Sequence, residues 1–452
     1  MFRASTPILI AATLSGCTTL GSSYVAPAIA PAARYEHAAA GSKTITAQMR
    51  WWRVFGDATL DRLIATGLGQ NLTVAQAVER VVAARASAKA TGFNAQPGGT
   101  SALQANVGGT SQTAEVTPAG SAAASLSWEV DLFGGLARQR DLAEATLGAA
   151  IEEANGARLS LIGEIARNYV QARGYQDRLH IARSTLEGQR RTLAVTEQRN
   201  AAGVTSALDL AQLKGDVSTT AAAIPALEIA LSQTLHRLGV LLGQAPTALD
   251  ATFRQGAQIP RVSARSAAGI PADLMRDRPD IRQAERQLAA ATAAVGVAEA
   301  DLYPSLTLGG NLSIATIANW SLGPSLSLPI FNRGQLKANV ELEQSRARQA
   351  YLAYRQAVLE AVEEVENALV GLSRQQTRRA ELARSYTSYS EATELAEARY
   401  AAGETTLVTL LTAQRSLYSA RDTLAQSTVD VALQYIALSL ALGGGWDAAA
   451  TR

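Results

Sequence analysis

One residue of this chain has the type and the position for a covalent reaction. Cys17 is the only cysteine among the 452 residues, and it directly follows Leu14-Ser15-Gly16. Ahead of it lie Arg3 and a short apolar run, Pro7 to Leu14, which is too short to span a bilayer as a helix. This arrangement is typical of a bacterial signal peptide, residues 1–16, that is removed in front of a lipid-modified cysteine. We therefore expect acyl chains on the thiol and the amine of Cys17, with an ordinary secretory signal as the alternative.

The sequence contains no motif for catalysis or for the binding of metal or phosphate. His37, His180 and His236 stand far apart, without the spacing of metal ligands. There is also no nucleophile elbow, phosphate-binding loop or calcium loop. We therefore predict that the chain is not an enzyme and uses no cofactor or metal. The 41 basic and 39 acidic residues nearly cancel, so no nucleic-acid partner is expected.

A seven-residue segment occurs twice along the chain. Arg199–Thr205 has the sequence RNAAGVT, and Arg399–Thr405, 200 positions later, has the sequence RYAAGET. A period of this length indicates a duplicated domain rather than a solenoid of short units. Gly203 and Gly403 can each take the left-handed conformation that ends a helix. The two segments are therefore predicted to be equivalent turns between helices.

The segments on either side of each turn are predicted to be helices. Residues 136–200 and 335–400 contain no proline, and about 64 residues at a rise of 1.5 Å each would extend roughly 95 Å. Apolar residues in the second of these segments alternate steps of four and three, which predicts a coiled-coil seam. The returning helices are expected to end near residues 243 and 442. Their candidate N-caps are Thr205 or Ser206 in the first turn and Thr405 or Thr406 in the second.

Residues of about 100–132 and 303–331 alternate apolar and polar residues at a period of two, which predicts a β-hairpin in each half. The strands have the length of tilted outer-membrane strands, although alternation is equally compatible with a soluble sheet. The turn-rich stretches 110–123 and 315–319 are expected to be the loops. A shorter amphipathic helix is predicted around residues 57–70.

These segments define an expected division of the chain. Its parts are a signal peptide (1–16), a lipidated N-terminal extension with the first short helix (17–70), a first structural repeat (71–257), a second structural repeat (258–446) and a C-terminal tail (447–452). The strands of about 100–132 and the helix hairpin of about 136–243 belong to the first repeat. The strands of about 303–331 and the hairpin of about 335–442 belong to the second. Long alanine-rich hairpins cannot bury their apolar stripes alone, so we expect self-association into a closed tube.

The pattern resembles the outer-membrane factor family, the exit ducts of tripartite efflux pumps, and most closely its lipoprotein branch. The resemblance covers nearly all of the chain after Cys17. It is carried by Leu14–Cys17, Trp51–Asp57, Leu60–Ile64, Asp277–Ile281, Leu302–Leu306, Leu328–Phe331, Arg399–Leu410, Ala413–Leu417 and Ala441–Trp446.

The resemblance implies a fold class that is mainly α with a membrane β-barrel segment. Long coiled-coil helices form a tunnel, and each chain of a homotrimer gives four strands to a twelve-stranded barrel. The implied location is the outer membrane, lipid-anchored and extending into the periplasm. The implied partners are outer-membrane lipid, a periplasmic adaptor protein and an inner-membrane pump of the resistance-nodulation-division (RND) type.

The resemblance also assigns roles to particular residues. Six residues of the two turns would dock the adaptor; they are Gly203, Val204, Thr205, Gly403, Glu404 and Thr405. Val408, Thr412 and Arg415, at spacing i, i+4, i+7 on the second returning helix, would form the periplasmic gate. Relatives often carry an aspartate where this chain has Thr412, so closure here would depend on packing of Val408 and on a partner for Arg415.

The function implied is passive conduction of small toxic compounds from a periplasmic pump to the exterior. An exit duct of a type I protein secretion system is the alternative within transport. A structural lipoprotein scaffold is the alternative outside it, but a scaffold would not need alternating ten-residue strands.

Overall fold

A computed structural model describes residues 21, 23–27, 50–109, 116–254, 256, 258–262, 278–315 and 317–445. After a 3-10 turn, Trp51–Phe55, the helices are α1 (Ala58–Gln70), α2 (Leu72–Phe93), α3 (Gly135–Ala201), α4 (Ala207–Leu241), α5 (Pro279–Ala300), α6 (Arg333–Ala401) and α7 (Leu407–Ala441). The strands are β1 (Gly98–Gly109), β2 (Val116–Val130), β3 (Ser305–Ile314) and β4 (Ala318–Ser327).

The order helix, two strands, long helix, returning helix occurs twice, as α2-β1-β2-α3-α4 and as α5-β3-β4-α6-α7. The long helices α3 and α6 have 67 and 69 residues, and the returning helices α4 and α7 have 35 each. Pro225 lies inside α4, where it removes one backbone donor. Among the helices of the described ranges, none is both long enough and apolar enough to cross a membrane.

The four strands form one antiparallel sheet in the order β1-β2-β3-β4. The hairpin of each half is joined to the other by the pairing of β2 with β3, in which Trp128 lies opposite Leu308. The expectation that residues 110–123 form a loop is wrong for 116–123, which belong to β2 and pair with β1 from Val116↔Gly109 onward. Glycine and alanine have low strand propensity, but the backbone ladder to β1, which β3 extends at Ala122 and Ala123, outweighs that preference. Ala318 and Asn319 likewise belong to β4 and not to a loop.

The chain divides into two compact units, and each unit draws residues from both halves of the sequence. The first unit comprises Ala77–Ala154 and Pro279–Ala357, with the described residues among the first 29. It contains the sheet, and within it Arg282 on α5 forms an ion pair with the buried carboxylate of Glu152 on α3, 2.6 Å from Nη2 to Oε1.

The second unit comprises the described residues of 30–76, 155–278 and 358–452, and it contains the two helical turns. In this unit Asp57 caps α1 by accepting hydrogen bonds from the backbone N–H groups of Thr59 (2.8 Å) and Leu60 (3.3 Å). The other oxygen of Asp57 accepts the hydroxyl of the fully buried Tyr169 on α3. Burial, together with this hydrogen bond, raises the pKa of Tyr169 to about 12. The hydrogen bond of the buried Tyr169 hydroxyl to Asp57 thereby fixes the short helix α1 to the long helix α3.

Candidate functional site at the helical turns

The two repeated segments fold into equivalent turns, which we call the tip turns (residues 201–206 and 401–406). Gly203 has a φ of 75° and Gly403 a φ of 76°, the left-handed region that favours glycine. In the first turn the N–H of Val204 donates to the carbonyl of Arg199 at 2.9 Å, and in the second the N–H of Glu404 donates to that of Arg399 at 2.8 Å. Both turns satisfy carbonyls that the ends of the long helices leave free.

The returning helices begin with side-chain caps at equivalent positions. The hydroxyl of Ser206 accepts the N–H of Asp209 at 3.1 Å, and the hydroxyl of Thr406 accepts that of Thr409 at 3.4 Å. Of the paired candidates, Ser206 and Thr406 are therefore the N-caps. The neighbouring Thr205 contributes its backbone carbonyl instead, which accepts a hydrogen bond from the side-chain amide of Asn200 at 2.7 Å.

The tip turns lie beside one another. The guanidinium carbon of Arg199 is 5.3 Å from the ring centre of Tyr400, a cation–π contact between the first turn and the second. Behind the turns, apolar side chains of both hairpins pack into one cluster: Leu213, Ala396, Leu407, Leu410 and Leu411 are buried there, with Leu193, Val217, Tyr400 and Ala413 packed against them. The six residues predicted to dock a partner are thus brought together on a shared apolar base.

The polar contacts beside this cluster repeat at the same offset as the sequence. Lys214 Nζ lies 3.1 Å from Glu197 Oε1 between α4 and α3, and Gln414 Nε2 donates to Glu397 Oε1 at 3.1 Å between α7 and α6. Residues 214 and 414, like 197 and 397, differ by 200 positions. The duplication therefore extends from the turns into the side-chain contacts of each hairpin.

The tip turns present an exposed surface. Gly203, Gly403 and Glu404 are exposed, Thr205 and Thr405 are half-buried, and Val204 exposes 75% of its surface although it is apolar. The Glu404 carboxylate lies 3.6 Å from Nε of Arg399, in a pair open to water on both sides. The surface combines an apolar side chain, a carboxylate and exposed backbone.

Val408, Thr412 and Arg415, the predicted gate face, follow one another on α7 close to the second tip turn. Val408 is 45% exposed and points away from the apolar cluster, while Leu407, Leu410 and Leu411 are buried in it. The hydroxyl of Thr412 donates to the carbonyl of Val408 at 2.8 Å, so this side chain is bonded within its own helix. In the described part of the chain, the side chains of Val408 and Thr412 are both exposed.

Arg415 has a carboxylate partner in the first half of the chain. Its Nε and Nη2 lie 2.9 Å and 2.8 Å from Oδ2 of Asp216 on α4. The Asp216 side chain is 17% exposed, against 54% for Arg415. Because the carboxylate is the more buried partner, it depends on the arginine for compensation of its charge.

Asp216 was not singled out from the sequence, although one signal could have identified it. The returning helices have the same length, and each begins just after its turn, at residue 207 or 407. Position 216 on α4 and position 415 on α7 are therefore nearly the same number of residues from their turns. If the turns lie side by side, these two positions lie at the same height along neighbouring helices. The required assumption, that the turns are adjacent, comes from the tertiary structure.

A second ion pair joins α7 to the first-half hairpin farther from the turns. Arg178 on α3 forms a bidentate ion pair with Asp422, with Nε 2.7 Å from Oδ1 and Nη2 3.0 Å from Oδ2. Its Nη1 also donates a hydrogen bond to the side-chain oxygen of Gln426 at 3.1 Å. The hydrogen bond to Asp422 raises the pKa of Arg178. Planar paired geometry of this kind is among the stronger forms of ion pair in proteins.

Cys17 lies outside the described residues, so its role stays a prediction. If it carries the lipid, Cys17→Ala should abolish labelling by a radioactive or clickable fatty acid and leave the signal peptide uncleaved. Membrane attachment should largely persist, because the strands insert independently of the anchor. Metabolic labelling followed by immunoprecipitation measures this directly. Unchanged labelling of the alanine variant would exclude Cys17 as the acylated residue.

Comparison with known proteins agrees with this architecture. The family model described as "Outer membrane efflux protein" matches residues 63–244 and 270–444. Nodulation protein T of Rhizobium leguminosarum bv. viciae is 36% identical over 96% of this chain and 92% of that protein. The pyoverdine export outer membrane protein OpmQ of Pseudomonas aeruginosa is 34% identical over 96% of each.

The structure of the outer-membrane channel OprN matches with a TM-score of 0.87 and 34% identity, over 95% of this chain and 100% of OprN. This likeness confirms the predicted fold class. The family model spans both sequence halves, and the two relatives are matched over nearly their whole length. The chain therefore belongs to the outer membrane efflux protein family, and it is an outer-membrane exit duct and not an enzyme.

Proposed function

We propose that the chain acts as a homotrimer that forms the exit duct of a tripartite RND-type efflux pump and passively conducts small toxic compounds to the exterior. The observation that carries this proposal is the pair of equivalent tip turns, held side by side on one apolar cluster and exposing Val204 and Glu404. Among the described residues, none covers the side chain of Val204, which exposes 75% of its surface. Three copies would present six equivalent turns to the periplasmic partner.

The proposed partner at the tip turns is a periplasmic adaptor protein. Gly203, Val204 and Thr205 would contact it from the first turn, and Gly403, Glu404 and Thr405 from the second. The backbone conformation at the two glycines is the same to within one degree of φ, so one adaptor element could bind either turn. Different side chains at Val204 and Glu404 would still distinguish the two positions.

The proposed gate is formed by Val408, Thr412 and Arg415 of the three chains. Three arginines near one axis repel each other unless each has its own counter-charge, and Asp216 supplies one within the same chain. This pairing supports a closed state in which three Val408 side chains narrow the pore. The proposal includes Cys17 as the lipid attachment site in the outer membrane.

An exit duct for a secreted polypeptide is the competing assignment. OpmQ is named for export of pyoverdine, and the family model that matches this chain is described as an efflux protein. Both descriptions favour efflux over polypeptide secretion.

Deletion of the gene, with the wild-type chain restored from a plasmid, tests the assignment. Cells without the chain should become several-fold more susceptible to small toxic compounds, and the plasmid should restore resistance. Deletion of the cognate RND pump should give the same susceptibility profile, with no further change in the double deletion. Unchanged susceptibility together with loss of one polypeptide from the culture medium would replace efflux by secretion.

A further inference from the structure

The four strands of the sheet carry a single charged side chain, that of Glu129 on β2. The strand segments 98–109, 116–130, 305–314 and 318–327 contain no other Asp or Glu and no Lys, Arg or His. Their remaining polar side chains are hydroxyls, amides and the indole groups of two tryptophans. The formal charge of the sheet is therefore that of one carboxylate per chain.

The pairing register gives this sheet one apolar face. Trp128 lies opposite Leu308 between β2 and β3, and Leu312 lies opposite Trp320 between β3 and β4. Large apolar side chains continue this face along β1 and β2, and all of them are exposed within one chain: Leu103, Val107 and Leu126. A barrel turns such a face, with its tryptophans, towards lipid.

Glu129 alternates with its neighbours along β2 and belongs to the other face, which is polar. In the ladder Glu129 lies opposite Thr307, and Thr307 lies opposite Ser325. Four residues earlier on β2, the hydroxyl of Ser125 shares a hydrogen bond of 2.7 Å with that of Thr100. Because the apolar face turns to lipid, this polar face lines the water-filled interior of the barrel.

The charge of Glu129 is not compensated in its surroundings. The residue is exposed, and among the described residues none forms an ion pair or a hydrogen bond with its carboxylate. It borders an open cavity of about 660 Å³, whose lining includes the carboxylates of Asp131 and Asp301 but no Lys, Arg or His. Asp131 accepts the N–H of Ala137 at 2.9 Å at the start of α3. The cavity lining therefore adds negative charge beside Glu129 and no positive charge.

We propose that the Glu129 carboxylates of three copies form a ring inside the barrel that favours the passage of cations over anions. The inference rests on the homotrimeric duct proposed above, and it names a residue that sets the charge preference of that duct. Rings of acidic side chains select cations in other channels, because they attract cations and repel anions. A wall of hydroxyls and amides supplies no fixed charge of the opposite sign.

The preference should depend strongly on salt. The Debye length is about 30 Å at 0.01 M ionic strength and about 3 Å at 1 M. At low salt the field of the ring therefore extends across much of the lumen, whereas at high salt it is confined to the wall. We expect the ratio of cation to anion permeability to fall as the salt concentration rises.

Reversal potentials of the full-length protein in planar bilayers, under a gradient of KCl at low ionic strength, measure this ratio. Glu129→Gln should lower the permeability of K⁺ relative to Cl⁻ by roughly three-fold, and Glu129→Lys should lower it further. Glu129→Asp, which retains the charge, should stay close to wild type. Because Glu129 is exposed, the amount of trimer should not change in these variants.

Two further variants separate the ring from general effects of charge. Glu153→Gln changes the net charge by the same amount, but its carboxylate lies on α3 and pairs with Nε of Arg80 on α2 at 3.0 Å. This variant should keep the wild-type ratio. Adding Thr307→Glu to Glu129→Gln should restore the preference, because Thr307 lies opposite position 129 on the same face.

The outcomes distinguish this inference from the proposed function. If wild type is trimeric and conducts, but Glu129→Gln and Glu129→Lys keep its permeability ratio, the ring is overturned and the exit duct stands. An equal loss of preference in Glu153→Gln, or no recovery with Thr307→Glu, would likewise overturn the ring. If wild type forms neither trimers nor channels, the proposed duct fails and the ring fails with it.

Discussion

Conductance in planar bilayers should rise when Arg415 is replaced by Ser together with Val408→Ala. The arginine variant leaves Asp216 without the guanidinium that compensates its mostly buried carboxylate. A partly exposed pair of this kind is worth roughly 1 kcal/mol per chain. Three chains together give roughly 3 kcal/mol, which changes a two-state equilibrium on the order of 150-fold. The shift should favour the open state, and cells should become sensitive to large antibiotics.

The contribution of the pair can be separated from that of the arginine itself. Asp216→Asn should raise conductance to a similar extent, and the combination with Arg415→Ser should add little, because the two substitutions remove one interaction. Arg191→Ser is the matched control: its ion pair with Glu187 at 2.9 Å lies within α3 and is open to water on both sides. If the Val408→Ala, Arg415→Ser double variant conducts like wild type, the constriction lies elsewhere on the returning helices.

Replacing both Gly203 and Gly403 by proline should abolish export while the amounts of trimer and outer-membrane protein stay at wild-type levels. Proline fixes φ near −65°, and neither turn can then keep its φ of 75° or 76°. The backbone bonds that close the turns, from Val204 to Arg199 and from Glu404 to Arg399, would be lost as the turns rearrange. Drug susceptibility, with immunoblots of outer-membrane fractions, measures the effect.

Asparagine at the same positions is the matched control. It tolerates the left-handed conformation better than other residues with a side chain. A Cβ at Gly203 or Gly403 would meet no atom within 4 Å, so space for it exists. The asparagine variants should therefore retain most export. Full resistance in the double proline variant would show that the tip turns do not dock the adaptor.

Much of the structure of this chain is determined by interactions between residues that are close in sequence. The ends of α3 and α6 at the tip turns, the left-handed glycines and the long proline-free helices depend on contacts no more than about one helical turn apart. The extent of β2, in contrast, depends on contacts with other strands. Residues 116–123 are rich in glycine, alanine and serine, and they form a strand because β1 pairs with all of them and β3 with Ala122 and Ala123.

The sequence by itself determined the duplicated hairpins, their turns and the strands, because the helix period, the strand period and the turn residues are local signals. The tertiary structure alone decided that Arg415 meets Asp216, 199 positions away. It also decided that Val429 is covered while the similar Ile229 is not. Both outcomes depend on a helix that is distant in sequence, α4 for Arg415 and α3 for Val429, and local periodicity does not encode such contacts.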